Sequence, residues 1–314
     1  MNQPHGSPAP GVHRLDPQSR IAILGTGLIG ASVGLALRSH GFAGSIAGWD
    51  PNPGQVHIAL RRQAITVIAD DPLAAAAEAH LILLAGPVFT ILEWLDRLAP
   101  ILQPGQLVTD VGSVKNALCQ HALGKYNRPG QPGFLPGHPM AGKEVGGAEN
   151  ADANLFDDAV WIFTPSPPEP SSDQAEAGEP ASAPVAQAWR SSVARFGARV
   201  IEMDPVRHDI LCAWISHLPQ FVSTAMCALL EDEFAAHADL LPIGGRALRE
   251  MTRLGASPFS MWRDIAHTNS EAIAHSLDAL EQRIAHIREN LKTPELRDEF
   301  DRANRFRLRN QRNP

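Results

Sequence analysis

The stretch IAILGTGLIG, residues 21–30, decides the fold of the first half of the chain. Its four opening apolar residues are typical of a strand that is buried on both faces. The GxGxxG pattern that follows is typical of the turn between the first strand and the first helix of a dinucleotide-binding fold. Gly25 allows the tight turn, Gly27 lets a pyrophosphate approach the backbone, and Gly30 lets helix and strand pack closely. We expect a nicotinamide dinucleotide to bind the loop residues Gly25, Thr26, Gly27, Leu28, Ile29 and Gly30.

An acidic residue follows the second predicted strand, residues 45–49, at Asp50. A carboxylate at this place accepts hydrogen bonds from the ribose hydroxyls and repels a 2′-phosphate, which predicts NAD rather than NADP. The alternative is that Asp50 only opens the turn formed by residues 50–53.

Alternating strands and helices continue through the first half, with strands predicted at 80–85, 106–109, 158–165 and 199–202. This rhythm predicts an α/β, Rossmann-like domain with a parallel sheet, whose ligands bind at the carboxyl ends of the strands. Pro87 lies in the turn after one of these strands and is a candidate cofactor contact.

The segment Asp110–Lys115 follows the strand at 106–109 and therefore lies on the ligand side of the sheet. Ser113 could cap the next helix, with Lys115 as a surface residue of its first turn. Alternatively, the Ser113 hydroxyl could point at the nicotinamide or at His138. The residues alone leave both interpretations open.

A histidine stands between small, turn-forming residues in GHPMAG, residues 137–142. The glycines and proline predict a strand that ends and opens into a loop, where backbone can approach a ligand closely. We interpret His138 as the residue at which the cofactor meets a carboxylated substrate.

From Pro205 onward the apolar residues recur at helical spacing, and Pro219 should kink this helix or separate two helices. Its apolar stripe contains Ser216 and His217, and the histidine could be a core residue or part of a binding site. A later helix places three arginines on one side, as a solvated stripe or a carboxylate-binding cluster: Arg246, Arg249 and Arg253. Long apolar faces on helices predict a homodimer interface.

Composition bounds the function. The chain has 314 residues, 44% of them hydrophobic, which is enough for two domains. A net charge of −7 argues against a nucleic-acid partner. No apolar run approaches the roughly 20 residues that a membrane span needs, and no signal peptide is recognisable, so we expect a cytoplasmic protein without a membrane partner. Three widely spaced cysteines indicate reduced thiols rather than disulfides or a zinc site.

The domain boundaries follow from these patterns. We predict a disordered tail at 1–19, an NAD-binding domain at 20–204 with a flexible insertion at 166–184, a helical substrate and dimerisation domain at 205–293, and an exposed tail at 294–314.

Taken together, the motifs resemble the prephenate/arogenate dehydrogenases of tyrosine biosynthesis. The matching segments, in the family's order between residues 20 and 291, are GTGLIGASVGLAL, DVGSVK, GHPMAG followed by Glu144, LFDDAVWIFTP, SHLPQ and GGRALREMTRLGASPFSMWRDI. The resemblance implies a Rossmann-like domain followed by a helical dimerisation domain. It also implies NAD-dependent oxidative decarboxylation of a cyclohexadiene that carries a ring carboxylate and a C4 hydroxyl.

The resemblance assigns roles to individual residues. His138 matches the catalytic histidine that accepts the C4 hydroxyl proton, and its unperturbed pKa of about 6.5 suits that role. Ser113 matches a serine that orients this histidine and lies beside the nicotinamide. Lys115 matches a lysine of the family, and we expect it to belong to the catalytic residues. Arg253 matches the arginine that pairs with substrate carboxylate. Further expected substrate-side residues are Ser216, Gln220, Arg246, Glu144 and Trp262. Of these, Glu144 and Trp262 match, together with Asp209, a polar network near the pocket mouth.

One departure concerns Gln220, because some prephenate-using members carry a histidine there. Glutamine can donate a hydrogen bond but cannot become cationic. The substrate preference between prephenate and arogenate, or dual use, therefore stays open, with prephenate favoured.

Two other protein classes compete with this interpretation. A β-hydroxyacid dehydrogenase should carry a catalytic lysine on the helical domain, but no lysine occurs between Lys143 and Lys292. A non-catalytic NAD-binding regulator would bind the cofactor without turnover.

Overall fold

The structure, a computed structural model, describes residues 15–143, 145–165, 180–234 and 243–311. Six parallel strands form the first sheet, in the order β3-β2-β1-β4-β5-β6. Their bounds are β1 Arg20–Leu24, β2 Ser45–Trp49, β3 Val67–Ile68, β4 Leu81–Leu84, β5 Leu107–Asp110 and β6 Gly133–Leu135. The strand order reverses between β1 and β4, which is where Rossmann-like sheets bind their ligands. The predicted Rossmann-like domain is confirmed.

Strands β1 and β4 are apolar at every central position because both faces of the sheet are covered. Ile21 and Ile23 pack into one core, whereas Ala22 and Leu24 pack into the other. A run without alternation is therefore the expected pattern for these strands.

His138 lies in a second, three-stranded sheet and not in the loop that the sequence predicts. This sheet consists of β7 Gly137–Pro139, β8 Val160–Phe163 and β9 Arg199–Glu202. Strand β7 pairs antiparallel with β8, which pairs parallel with β9. The break at Pro136 separates β7 from β6, so the chain leaves the first sheet and enters the second within one residue. Pairing on β8 fixes the backbone of His138.

Helices connect the strands and form the second half of the chain. Those of the first half are α1 Leu28–Ser39, α2 Pro53–Arg61, α3 Pro72–Glu78, α4 Val88–Leu98, α5 Asn116–Ala122 and α6 Ala183–Arg195. Those of the second half are α7 Pro205–Cys212, α8 Leu218–Phe234, α9 Arg246–Thr252, α10 Phe259–Thr268, α11 Ser270–Glu289 and α12 Glu295–Gln311.

A single π-helical turn, Ala213–His217, joins α7 to α8 into one continuous helix. Pro219 explains it, because proline lacks an N–H and its ring clashes with the carbonyl four residues earlier. Pro219 therefore does not separate two helices as one of the predicted alternatives had it, and the irregularity is a π-helical turn within one helix.

The joined helix Pro205–Phe234 is long and apolar enough to cross a membrane by length and composition alone, with a mean hydropathy of 1.3 over 18 residues. The expectation that no segment approaches such a length is therefore wrong. The helix nevertheless directs His208, Asp209 and Gln220 into the protein interior, where all three are buried. These polar side chains form the contacts described below.

The structure moves three predicted boundaries. Leu15 is buried in the core, so the predicted tail at 1–19 ends earlier, and residues 1–14 lie outside the described part. Helix α6 begins at Ala183 beside the buried Ser182, so the predicted insertion ends earlier than Pro184, and residues 166–179 are not described. The predicted tail after residue 293 contains helix α12, whose Glu299 pairs with Arg283 at 2.8 Å.

Candidate active site

The glycine-rich loop between β1 and α1 has the shape that a dinucleotide requires. Gly25 has φ +103°, and a Cβ there would lie 2.3 Å from the Ala85 carbonyl oxygen. A Cβ on Gly30 would lie 1.9 Å from the carbonyl oxygen of Gly25. A Cβ on Gly27 would meet nothing within 4 Å, so the space in front of this residue is open. Two glycines thus serve packing and one leaves room for the pyrophosphate, as the pattern predicts.

Asp50 supports this loop as well as ending β2. Its Oδ2 accepts a hydrogen bond from the Thr26 backbone N–H at 2.8 Å, and its Oδ1 accepts from the Asn52 N–H at 2.9 Å. Each carboxylate oxygen keeps a further lone pair for a ribose hydroxyl. Arg62, a cation that could otherwise bind the 2′-phosphate of NADP, donates to the carbonyl oxygens of Ala148 and Glu149. The residues therefore fit NAD, with negative charge at the ribose end.

We expect Asp50→Asn to weaken NAD+ binding about tenfold and to relax discrimination against NADP+, because the negative charge is lost. The remaining amide oxygen can still accept the Thr26 N–H. Steady-state KM values for both cofactors measure the effect, and kcat should stay near that of the unsubstituted enzyme.

Asp50→Ala removes both the negative charge and the acceptor for the Thr26 N–H. The difference between Asp50→Ala and Asp50→Asn therefore measures the contribution of that hydrogen bond to the loop. An unsubstituted enzyme that already prefers NADP+ would contradict the role assigned to Asp50.

A buried ion pair fixes the backbone immediately before His138. Lys115 and Asp110 are in direct contact and neither side chain is exposed to solvent. Lys115 Nζ also donates to the Gly137 carbonyl oxygen at 2.7 Å, and Asp110 Oδ1 accepts from the Gly137 N–H at 3.2 Å. Both polar groups of Gly137 are thus held by one pair. The alternative of Lys115 as a surface residue is wrong, and its side chain serves to position β7.

His138 is hydrogen-bonded to a second histidine. Its Nδ1 lies 2.9 Å from Nε2 of His208, and Nδ1 of His208 lies 2.7 Å from Oδ1 of Asp209. All three residues are buried. Asp209 is therefore buried and separated from His138 by one imidazole, and does not lie near the pocket mouth as expected.

Burial lowers the pKa of His138 well below its ordinary value of 6.5, and the nearby cationic forms of His208, Lys115 and His217 lower it further. Burial also lowers the pKa of His208, although Asp209 opposes that effect. The expectation of an ordinary pKa for His138 is thus wrong. Both imidazoles are neutral near pH 7, so each carries a single ring proton.

The His138, His208 and Cys212 donor atoms lie within 4.8 Å of one another, a spacing that a metal ion could use. The two imidazoles are, however, joined by a hydrogen bond, and burial raises the pKa of the Cys212 thiol to about 12. A thiol that keeps its proton is a poor ligand. These contacts describe a hydrogen-bonded chain better than a metal centre.

Two carboxylates of the helical domain cap helices of the nucleotide-binding domain. Asp209 accepts from the backbone N–H groups of Lys115 at 2.8 Å and Asn116 at 2.9 Å, at the start of α5. Asp264 accepts from the Phe89 N–H at 3.1 Å, at the start of α4. Carboxylates are favourable at helix N termini because the unpaired N–H groups there carry partial positive charge. The caps fix the helical domain over the carboxyl ends of β4 and β5.

His217 is buried within the helical domain between Asn269 and Trp262, which together form what we call the His217 wall. Nδ1 of His217 lies 3.3 Å from Asn269 Nδ2, and the His217 ring packs edge-on against Trp262 with ring centroids 5.8 Å apart. Burial lowers the pKa of His217 to about 4. The Trp262 Nε1–H is buried without a hydrogen-bond partner among the described residues.

The amide of Gln220 is engaged within this wall. It donates to the Leu254 carbonyl oxygen at 2.7 Å and to Thr224 Oγ1 at 3.2 Å, and it accepts from Ser257 Oγ at 3.0 Å. These contacts join α8 to the 3₁₀ turn that begins at Arg253. Gln220 therefore holds the Arg253 turn beside the His217 wall.

The other predicted residues occupy varied places. Ser113 and Ser216 are half-buried, and Pro87 precedes α4 at the carboxyl end of β4. Arg246 is 87% exposed and pairs with Glu250 at 2.6 Å. Glu144 lies outside the described residues. The roles of these residues stay predictions.

Sequence reasoning missed His208 and Asp264 and gave Asp110 no role. The only signal for His208 was its place before Asp209 near the start of a helix whose later turns carry Ser216 and His217. Its partner His138 lies 70 residues away in sequence, a separation that no local pattern spans.

Comparisons with known proteins agree along most of the chain. The family described as "Prephenate dehydrogenase, nucleotide-binding domain" matches residues 33–177, and "Prephenate dehydrogenase, dimerization domain" matches residues 204–304. Prephenate dehydrogenase of Bacillus subtilis is 29% identical over 269 residues, which cover 85% of this chain and 69% of the relative. Cyclohexadienyl dehydrogenase of Zymomonas mobilis is 29% identical over 262 residues, covering 82% and 83%.

Solved structures show the same architecture. The A. aeolicus prephenate dehydrogenase in complex with hydroxyphenyl propionate and NAD+ is 28% identical, with a TM-score of 0.79 over 93% of this chain and 98% of that one. The Synechocystis arogenate dehydrogenase is 30% identical, with a TM-score of 0.69 over 92% and 99%.

Proposed function

The chain belongs to the prephenate dehydrogenase family, and on that premise we propose that it catalyses the NAD-dependent oxidative decarboxylation of prephenate to 4-hydroxyphenylpyruvate. The observation that carries the proposal is a buried, neutral His138 on β7, whose neighbour Gly137 is hydrogen-bonded to Asp110 at the carboxyl end of β5. NAD+ supplies the hydride acceptor when bound.

The chain's own residues handle the proton and the charges. In the proposed reaction His138 accepts the proton of the C4 hydroxyl as that carbon loses hydride. The ring then loses CO2 and becomes aromatic, and the proton returns to the phenolic oxygen. Burial excludes water from the histidine, which strengthens each polar contact made there.

Arg253 is the proposed partner of a substrate carboxylate, with Ser216 lining the pocket and Ser113 beside the nicotinamide. Support comes from the Gln220 contacts that hold the Arg253 turn next to the buried wall around His217. A guanidinium binds carboxylate in bidentate geometry, which suits a substrate that must be oriented for hydride loss.

Arg253→Ala should raise the KM for prephenate about 10- to 100-fold with little change in kcat, because a charge-assisted pair formed in both ground and transition states is lost. Arg249→Ala is the matched control. Arg249 is on the preceding helix, and one of its guanidinium nitrogens lies 3.3 Å from the Gly244 carbonyl oxygen. An unchanged KM in Arg253→Ala would place the carboxylate elsewhere.

Arogenate is the second candidate substrate. Its side chain carries an ammonium group, and relatives of this chain include an arogenate and a cyclohexadienyl dehydrogenase. The amide of Gln220 brings no positive charge that would repel an ammonium group, although its present bonds are internal. NADH formation with prephenate and with arogenate, measured side by side, tests both substrates. If the enzyme turned over neither of them, the proposal would be refuted.

We also propose a homodimer, since the dimerisation-domain match coincides with a row of exposed apolar side chains on the joined helix: Val206, Ile210, Trp214 and Ile215. Patches of this kind are typical of subunit interfaces. A monomer in sedimentation equilibrium would contradict it. Cys119, Cys212 and Cys227 are reduced thiols, which fits the reducing cytoplasm, where we place the enzyme.

A further inference from the structure

We propose that His208, held by Asp209, is a positioning residue that fixes the tautomer of His138, so that Nε2 of His138 presents a lone pair to the substrate hydroxyl. This inference rests on the proposed function, in which His138 is the base. It assigns a role to a residue that neither the sequence motifs nor the resemblance single out.

The direction of the hydrogen bonds follows from counting protons. The Asp209 carboxylate has no proton to donate, so His208 must donate from Nδ1 across the 2.7 Å contact. A neutral imidazole carries one ring proton, which leaves Nε2 of His208 as an acceptor. His138 must then donate from Nδ1 across the 2.9 Å contact. Its single proton lies on Nδ1, and Nε2 is unprotonated.

Asp209 is kept as a charged acceptor by its other contacts. Its two oxygens accept from the first N–H groups of α5, those of Lys115 and Asn116. These groups belong to another domain and carry the partial positive charge of a helix N terminus, which stabilises the anion. The start of α5 therefore anchors the carboxylate, the carboxylate orients His208, and His208 orients His138.

The hydrogen bonds from His138 through His208 to Asp209 also stabilise His138 after it has accepted a proton. When His138 becomes an imidazolium, its Nδ1–H already points at an acceptor, and the Asp209 charge lies one imidazole away. No group has to turn to stabilise the new charge, and preorganised stabilisation of this kind lowers a barrier. Without His208 the proton is free to occupy Nε2, where it would meet the substrate hydroxyl as a second donor.

The test compares His208→Phe with His208→Gln. Phenylalanine keeps an aromatic ring but offers no acceptor. Glutamine can donate to Asp209 through its amide nitrogen and accept from His138 through its amide oxygen, in the same direction as histidine. Cys212→Ala is the matched control, because the Cys212 thiol lies 3.5 Å from the same His208 nitrogen but outside the chain of bonds.

We expect His208→Phe to lower kcat by about 10²–10⁴-fold, the range in which loss of general base catalysis falls and whose upper end corresponds to a histidine in the wrong tautomer. The KM for NAD+ should change little. His208→Gln should recover at least about tenfold of that loss, and Cys212→Ala should retain kcat. A folded His208→Phe protein with undiminished kcat would overturn the proposal, as would a glutamine variant no better than phenylalanine.

Ring ¹⁵N NMR of the NAD-bound protein, without substrate, tests the tautomer directly. The His138 signals are those that disappear in His138→Asn, and we expect a protonated Nδ1 and an unprotonated Nε2. The reverse assignment would refute the proposal even if His208→Phe failed to fold. An enzyme that turned over neither prephenate nor arogenate would refute the proposed function but leave the tautomer result standing.

Discussion

His138→Asn is expected to lower kcat by about 10²–10⁴-fold, the usual contribution of a general base, while the affinity for NAD+ stays near that of the unsubstituted enzyme. Asparagine can still donate to His208 from its amide, but it has no basic nitrogen at the place of Nε2. Steady-state NADH formation gives kcat, and cofactor binding followed by fluorescence gives Kd. His57→Asn, on the exposed face of α2, is the matched control. Undiminished turnover in His138→Asn would remove this residue from the mechanism.

The same group sets the pH dependence. Because burial holds the pKa of His138 well below 6.5, the base is already unprotonated at pH 6.5. The histidine-dependent fall of kcat/KM should therefore occur only at pH values well below 6.5, and this group should cause no change between about pH 6.5 and 8. An acid limb centred on 6.5 or above would contradict the burial of the ring.

Lys115→Met is expected to lower the free energy of unfolding by about 3–5 kcal/mol, because it leaves Asp110 as an uncompensated charge in a buried site. The matched control is Lys125→Met. Lys125 pairs with Asp96 at 2.5 Å, but both side chains are more than a third exposed, so its loss should cost less than about 1 kcal/mol. Urea unfolding measures both.

The pH dependence of the stability loss in Lys115→Met, together with a double variant, identifies the cause of that loss. Burial raises the pKa of Asp110, and Lys115 is the largest opposing influence, so removing the lysine should raise that pKa further. A carboxyl whose pKa is higher in the folded state stabilises that state at low pH and loses this contribution as pH rises above about 4. The deficit of Lys115→Met should hence grow with pH. Adding Asp110→Asn should restore part of the stability, and a deficit independent of pH would point to lost packing instead.

Local patterns predicted the cofactor side of this molecule. The GxGxxG loop and Asp50 act through backbone geometry within a few residues, and the structure places them as expected. The strands are likewise predictable, since a run such as 81–84 is apolar throughout when both of its faces are covered.

The proposed catalytic residues were named from the sequence, but their burial and hydrogen-bond partners were not predicted. His138 was identified, yet its strand depends on pairing with β8, more than 20 residues later. A surface position was one of the alternatives for Lys115, because its contact with Gly137 spans 22 residues and leaves no local pattern. Asp209 reaches α5 across 93 to 94 residues. Burial of these groups, and hence the lowered pKa of His138, arises from tertiary packing that a sequence pattern does not encode.

The π-helical turn before Pro219 sets the angular phase between two ends of one helix. His208 precedes the turn and Gln220 follows it, and both point inward, whereas Ile215 within the turn is 63% exposed. One residue corresponds to about 100° of rotation in an α-helix. Shortening the turn by a single residue would rotate Gln220 by that angle relative to His208. The length of the π-helical turn therefore determines that both side chains face the interior of the protein.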